Sequence, residues 1–251
     1  WLGVHGGFSL LRVHVDLEHE EVSLLTGSIA EQGTPSGKRI LQDFVDRHDW
    51  IGDAKFGGSR VIPLRRPYSV LGAGRIALIG DSASQVFAPH GSGIAMGMLG
   101  GLHLASAVEK VLAEHGDIGS DQALWDYSRG FHTAWGGILA FGDAFRRFSQ
   151  SLSAHDMDEL FRSGLMTSHL LRDGLTQLKP TMDLASLPTQ ARALLTMPRL
   201  GARLVNVLGR LPLCLASTTS YPTVLPSSLE SPMAYELLMR SLVDTVSKGD
   251  A

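Results

Sequence analysis

The chain has 251 residues, 44% of them hydrophobic, which suits one large or two modest domains with a real core. A net charge of −3 argues against a nucleic-acid footprint, and the single cysteine, Cys214, excludes an internal disulfide or a cysteine zinc site, as suits a reducing cytoplasm. No uninterrupted apolar run reaches the roughly 20 residues that a membrane-spanning helix needs.

In chain order, Phe8–Val15 and Glu21–Leu25 alternate as strands and are joined by the acidic turn Asp16–Glu20. Arg12, His14 and His19 along this hairpin read as a solvated face. Thr34-Pro35-Ser36-Gly37 breaks the pattern, and a short helix is expected near Lys38–Arg47 with Ile40, Leu41, Phe44 and Val45 on one side. Gly57-Gly58 leads into Ser59–Leu64, expected as a strand. The pair Arg65-Arg66 follows; it could meet a phosphate or carboxylate bidentately or simply stand in solvent.

Ile76-Ala77-Leu78-Ile79 is a short apolar run, expected as a strand covered on both faces. Gly80-Asp81 ends it, and Pro89, Gly91 and Gly93 keep the next ten residues out of helix and strand. From Ile94 onward Met96, Leu99, Leu102, His103, Leu104, Ala107 and Val111 recur at helical spacing. Gly97, Gly100 and Gly101 leave one side of this helix nearly bare, so something must lie close against it. A helix opening at Gly91-Ser92-Gly93 offers unpaired backbone N–H groups and a positive dipole end to an electron-rich ligand. Strand, acid, glycine turn and helix read as a cofactor cradle made of Gly80, Asp81, Pro89, His90, Gly91, Ser92, Gly93 and Ile94. His90 could face a ligand or only shape the turn; His103 reads as a core histidine, and Met96 and Met98 as packing.

Glu114–Ser120 is a polar loop, and Asp121 opens a further helix. Trp125, Tyr127, Phe131, Trp135, Leu139, Phe141, Phe145 and Phe148 supply a mostly aromatic core, while Gly136-Gly137 and Gly142 beside the rings would suit a groove for a long apolar ligand. Met157–Leu178 holds one or two short helices. Leu184–Ser217 carries Arg192, Arg199, Arg203 and Arg210 and no acid. Pro198, Gly201, Gly209 and Pro212 interrupt it, so it is expected to be a helical lid or a peripheral contact with anionic lipid over 184–217, not a span. Thr218–Pro232 reads as an extended linker. Met233–Val246 reads as an amphipathic helix with Leu237, Leu238, Leu242 and Val243 on its apolar side.

GDSAS, followed by Pro89, Gly91, Gly93 and an Ala/Gly-rich apolar helix, resembles the second flavin-binding motif of FAD-dependent monooxygenases and geranylgeranyl-reductase-like oxidoreductases. The likeness is specific over Arg75–Val111. It implies FAD as the cofactor, with Asp81 on the ribityl hydroxyls and the Gly91–Ile94 backbone facing flavin N1 and the C2 carbonyl, where a reduced flavin holds its charge. It also implies that Pro63, in an Ile-Pro pair, lies near the flavin, with Arg65 and Arg66 as further substrate-side candidates. Two departures stand out. One residue instead of the usual two separates Pro89 from Gly91, and Ala95 and Gly100 occupy positions where aromatic hydroxylases carry asparagine and aspartate. GIAMGMLGGLHLA is closer to the reductases.

The family's G-x-G-x-x-G pyrophosphate fingerprint is missing: Met96 stands where a third glycine would follow Gly91-Ser92-Gly93, and Gly72-Ala73-Gly74 precedes a strand instead of following one. The chain also opens at Trp1. The expectation is therefore the C-terminal part of a longer flavoprotein, whose N-terminal half, on the same or a separate chain, would be its partner. The expected fold is α/β: the C-terminal portion of a Rossmann-like FAD-binding fold, part of an antiparallel substrate-domain sheet and a helical C-terminal region. Its expected parts are residues 1–64, 65–115, 116–217 and 218–251. The implied reaction is hydride transfer through flavin N5 to or from a largely apolar, isoprenoid-type substrate, with NAD(P)H as a candidate donor and no metal. A flavin-dependent monooxygenase or halogenase, and a flavin-free binding or assembly subunit, are the alternative readings. The expected location is cytoplasmic or membrane-associated.

Overall fold

A computed structural model describes residues 10–29, 33–176, 187–225 and 230–246. These are mixed α/β, mostly helical, with two small antiparallel sheets. Contacts divide the chain into two units, residues 1–61 with 150–159 and residues 62–149 with 160–251. The parallel layer of a Rossmann-like fold is not among the described residues.

In the first unit β1 (Leu10–Asp16) pairs with β2 (Glu21–Gly27), Asp16 opposite Glu21. The Asp16 carboxylate closes the turn by accepting from the amides of Glu18 (3.0 Å) and His19 (3.1 Å). Arg12, His14 and His19 are exposed, as a solvated face should be. Phe8 and Ser9, the expected start of the first strand, lie outside the described residues. Helix α1 (Gly37–Val45) starts at Ser36, whose hydroxyl accepts from the Arg39 amide at 3.2 Å, and it buries Ile40. Ser59–Leu64 is not a strand. Pro63 lacks an N–H, the Arg65 amide folds back onto the Pro63 carbonyl (2.9 Å), and Val61 is 94% exposed.

In the second unit the buried strand expected at Ile76–Ile79 shrinks to a two-residue hairpin, β3 (Gly72–Ala73) with β4 (Ile76–Ala77). Ile76 is 66% exposed, because among the described residues no strand lies along its other edge. Helix α2 (Ile94–Ala113) buries Met96, Ala107 and Val111 and packs on α3 (Asp121–Phe131), which Ser120 caps. The chain then passes through one π turn, His132–Gly136, into α4 (Gly137–Gln150). Tyr127, Phe131 and Phe148 are core residues, as their spacing requires.

The glycines beside those rings are filled and form no groove. A Cβ on Gly137 would lie 2.7 Å from the Cys214 carbonyl oxygen, and one on Gly142 would lie 3.2 Å from the Pro89 ring. Helices α5 (Ala154–Arg162), α6 (Ser168–Leu175), α7 (Leu187–Thr196), α8 (Pro198–Leu208), α9 (Arg210–Ser217) and α10 (Glu230–Asp244) complete the chain.

Of the expected interruptions, Pro198 opens α8 and Gly209 separates α8 from α9 as a single turn residue, while Gly201 and Pro212 lie within helix. Helical backbone runs from Pro198 to Ser220, 23 residues, long and apolar enough by composition to cross a membrane. Gly209 keeps right-handed helical angles, and Pro212 falls in the first turn of α9, where a missing N–H is tolerated. Thr218–Tyr221 is no extended linker either: Tyr221 is buried, its hydroxyl donating to the Ser69 carbonyl at 2.6 Å. On α10 the buried residues are Tyr235, Met239 and Val243, while Leu237 and Leu238 face outward, a rotation of the expected apolar side. Residues 177–178, 184–186 and 226–229 of the predicted segments lie outside the described residues.

At the π turn His132 is buried. Its Nε2 donates to the Tyr68 carbonyl (2.8 Å), its ring stacks on Tyr221 (4.9 Å), and Nδ1 has no partner. Desolvation, against that hydrogen bond and with help from the nearby Arg66 charge, pushes its pKa down from 6.5 to about 4. Between those values the unfolded chain takes up a proton that the folded chain refuses, so stability is complete above pH 6.5 and falls as the medium is acidified. The expected loss by pH 4 is about 3 kcal/mol. Urea unfolding of the wild type and of His132→Gln at neutral and acid pH should show a flatter pH slope in the variant. Equal slopes would place the proton uptake elsewhere.

Candidate functional site

The GDSA sequence folds as one turn of 3₁₀ helix, Gly80–Ala83, entered through a Gly80 φ of +64° and left through Ser84 in the left-handed region. Two short-range constraints lock this bend. The Gln85 amide donates to the Gly80 carbonyl (2.9 Å), and the Gly80 amide donates to Gln85 Oε1 (2.8 Å). The Gln85 side chain is fully buried, and its Nε2 donates to the Tyr127 hydroxyl at 2.9 Å, which donates to the Leu78 carbonyl at 2.7 Å. Sequence reasoning passed over Gln85; its signal was the coincidence of a buried amide with the bare position Gly100.

The second turn closes on itself. The Phe87 amide donates to the Ser92 carbonyl (2.9 Å) and the Gly91 amide to the Phe87 carbonyl (3.0 Å), with Gly91 at a φ of +71°. Helix α2 then begins behind Gly93 with no side-chain cap, which leaves the amides of Ile94, Ala95 and Met96 without intrahelical acceptors. Its bare side meets the bend: a Cβ on Gly97 would lie 3.3 Å from the Gly80 Cα, and one on Gly93 would lie 2.9 Å from Asp81 Oδ1. Gly101, by contrast, faces open space.

Bend and helix start enclose a cleft of about 530 Å³ lined by Ile62, Gly80, Asp81, Gly91, Gly93, Ile94, Gly97 and Met98. Asp81 is exposed at its edge, and its carboxylate has no partner among the described residues. Of the residues named from sequence, Gly80, Asp81, Gly91, Gly93 and Ile94 come together here. Pro89, His90 and Ser92 form the turn behind and do not line the cleft: Pro89 lies beside Gly142, and the His90 ring leans on Phe87 at 5.0 Å. Partial desolvation holds the His90 imidazole below its usual pKa. Ile62, the neighbour of Pro63, reaches the cleft instead of the proline. Arg65 lies over the Tyr68 ring (4.5 Å), and the buried Arg66 is paired with Glu236 of α10, which also accepts from the Ser69 hydroxyl. His103 packs edge-on against Phe131 at 6.0 Å. Among the described residues no cluster of His, Cys, Asp and Glu is arranged to hold a metal.

No family model matches the chain. Over 141 residues it is 36% identical to the digeranylgeranylglycerophospholipid reductase of Sulfolobus acidocaldarius, a match that covers 55% of this chain and 31% of that protein. The relative is a reductase by name, and the match spans about a third of its length.

Proposed function

We propose that this chain supplies the flavin-ring side of an FAD-dependent reductase acting on an isoprenoid chain, and that the Asp81 cleft is where the cofactor lies. The observation that carries the reading is the exposed, unpaired Asp81 carboxylate beside uncapped helix amides in one cleft. The residues fit the group. Asp81 accepts from sugar-alcohol hydroxyls, the amides of Ile94 to Met96 and the helix dipole favour an electron-rich edge, and Gly93 and Gly97 let the Gly80–Asp81 bend close onto the helix so that both face one cleft. Bound FAD would supply hydride transfer at N5. Ile62, Ile94 and Met98 offer apolar contact in the same space to a substrate such as the one in the relative's name. The pyrophosphate site and the remaining sheet of a Rossmann-like fold would come from the N-terminal half of the flavoprotein, with NAD(P)H as the donor.

The test is Asp81→Ala in the intact flavoprotein. Losing charge-assisted hydrogen bonds of about 1.5–3 kcal/mol should weaken FAD binding roughly 10- to 100-fold, read by titration of the visible flavin band. Unchanged affinity would remove Asp81 from the site. Saturation of the isoprenoid double bonds of a geranylgeranyl lipid, followed by mass, tests the substrate.

A further inference from the structure

Helical residues 198–220 have two unlike sides. Leu200, Leu204, Val207, Cys214 and Ser217 are buried in the fold, where the Cys214 backbone lies against Gly137. Ala202, Val205, Asn206, Gly209, Pro212, Leu213 and Ala216 are the exposed residues on the outer side, and Val205 and Leu213 are each 54% exposed. A side of a helix that faces water normally carries charge. Here the exposed residues from 200 to 220 carry none, because Arg203 lies toward the Phe148 ring and Arg210 donates to Asn206, the Leu242 carbonyl and Thr245. The exposed charges sit at the leading end, Arg192 and Arg199, beside Leu195, which is 83% exposed. No Asp or Glu occurs from residue 184 to 229.

We propose that this outer side rests on an anionic lipid surface, with the helix lying in the plane of the interface. Spanning is disfavoured, because the inner side is part of the protein core and 33% of the most apolar window is buried there. A small, uncharged strip with exposed arginines at its leading end matches a negatively charged headgroup layer in both polarity and sign. The proposal rests on the isoprenoid reading above to this extent: a membrane-dissolved substrate would have to be collected from such a surface.

The intact protein is mixed with phosphatidylcholine vesicles, with or without phosphatidylglycerol, and separated by flotation, with bound flavin read by absorbance in the same sample. Flotation is expected with the anionic vesicles, weakly with the neutral ones, and less as salt is raised. Val205→Asp combined with Leu213→Asp should cut the vesicle-bound partition roughly tenfold or more, and Arg199→Gln about fivefold. All three sites are exposed, so the melting temperature should hold and a folding defect can be told from a binding defect. Three results each overturn the proposal: wild type that ignores both vesicles, a double variant that floats like wild type, or a double variant that breaks up a dimer in sedimentation, which would assign the strip to a second copy. Flavin lost while flotation persists would count against the cofactor reading alone, and the converse against this one alone.

Discussion

Asp143→Ala is expected to destabilise the second unit by about 3–5 kcal/mol, the largest effect of any single substitution considered for this chain. Asp143 is fully buried on α4, and its carboxylate accepts from Arg146 Nε (3.1 Å), a terminal Arg146 nitrogen (2.7 Å) and the Arg66 amide (3.2 Å). Arg147 Nε lies 3.4 Å away, and the Arg147 guanidinium also meets Asp244 of α10 at 3.0 Å. A buried pair kept whole contributes little net stability, but removing one partner leaves the opposite charge poorly compensated. The alanine variant would take from Arg146 its two bonds to Asp143 and leave the buried Arg66 N–H without its acceptor. The same network touches the turn behind the cleft through Gly142, the residue before Asp143, which lies against Pro89 and Phe87. Denaturant unfolding should therefore show the full loss, with Asp143→Asn intermediate because its amide oxygen can still serve the Arg66 N–H. A loss below about 1 kcal/mol would mean that water reaches these charges and the network is slack.

Much of the cleft was legible in the sequence because it is made by local chemistry. A glycine at positive φ, an acid after it, and a helix opening on glycine are decisions taken within fifteen residues, and Gly80, Asp81, Gly91, Gly93 and Ile94 meet as that order implies. The hairpin at Asp16–Glu21 was legible for the same reason, since alternation and an acidic turn fix its register. Long-range partners were not legible. Nothing local tells that Arg66 would face Glu236, 170 positions away, instead of a ligand, or that Gly137 would be filled by the Cys214 backbone. Ser59–Leu64 and Ile76–Ile79 carry strand-like residues, but a strand exists only where a neighbour supplies the ladder, and among the described residues only the two-residue β3 does so, for Ile76–Ala77. Pro212 misled because proline breaks a helix interior but not a first turn, and the helix restarts at Arg210.

Gly100→Ala is expected to loosen the Gly80 bend and to cost about 2–4 kcal/mol, although it adds one methyl group to a helix interior where alanine is intrinsically preferred by about 1 kcal/mol. The reason is Gln85. A Cβ on Gly100 would lie 2.2 Å from Gln85 Oε1 and 2.8 Å from its Cδ, and Gln85 is too enclosed to swing aside without giving up its bonds to the Gly80 amide and the Tyr127 hydroxyl. Each buried group left unpaired costs about 1–3 kcal/mol, which outweighs the gain in helix propensity. Gly101→Ala is the control next door: its Cβ meets nothing within 4 Å, so propensity alone acts and the variant should be neutral or slightly more stable. The partner substitution isolates the cause, because Gln85→Ala removes the atoms in the way. Gly100→Ala added to Gln85→Ala should then cost almost nothing further, a strongly non-additive cycle. If Gly100→Ala proved as mild as Gly101→Ala, Gln85 could not be what holds the Gly80 bend open beside Asp81.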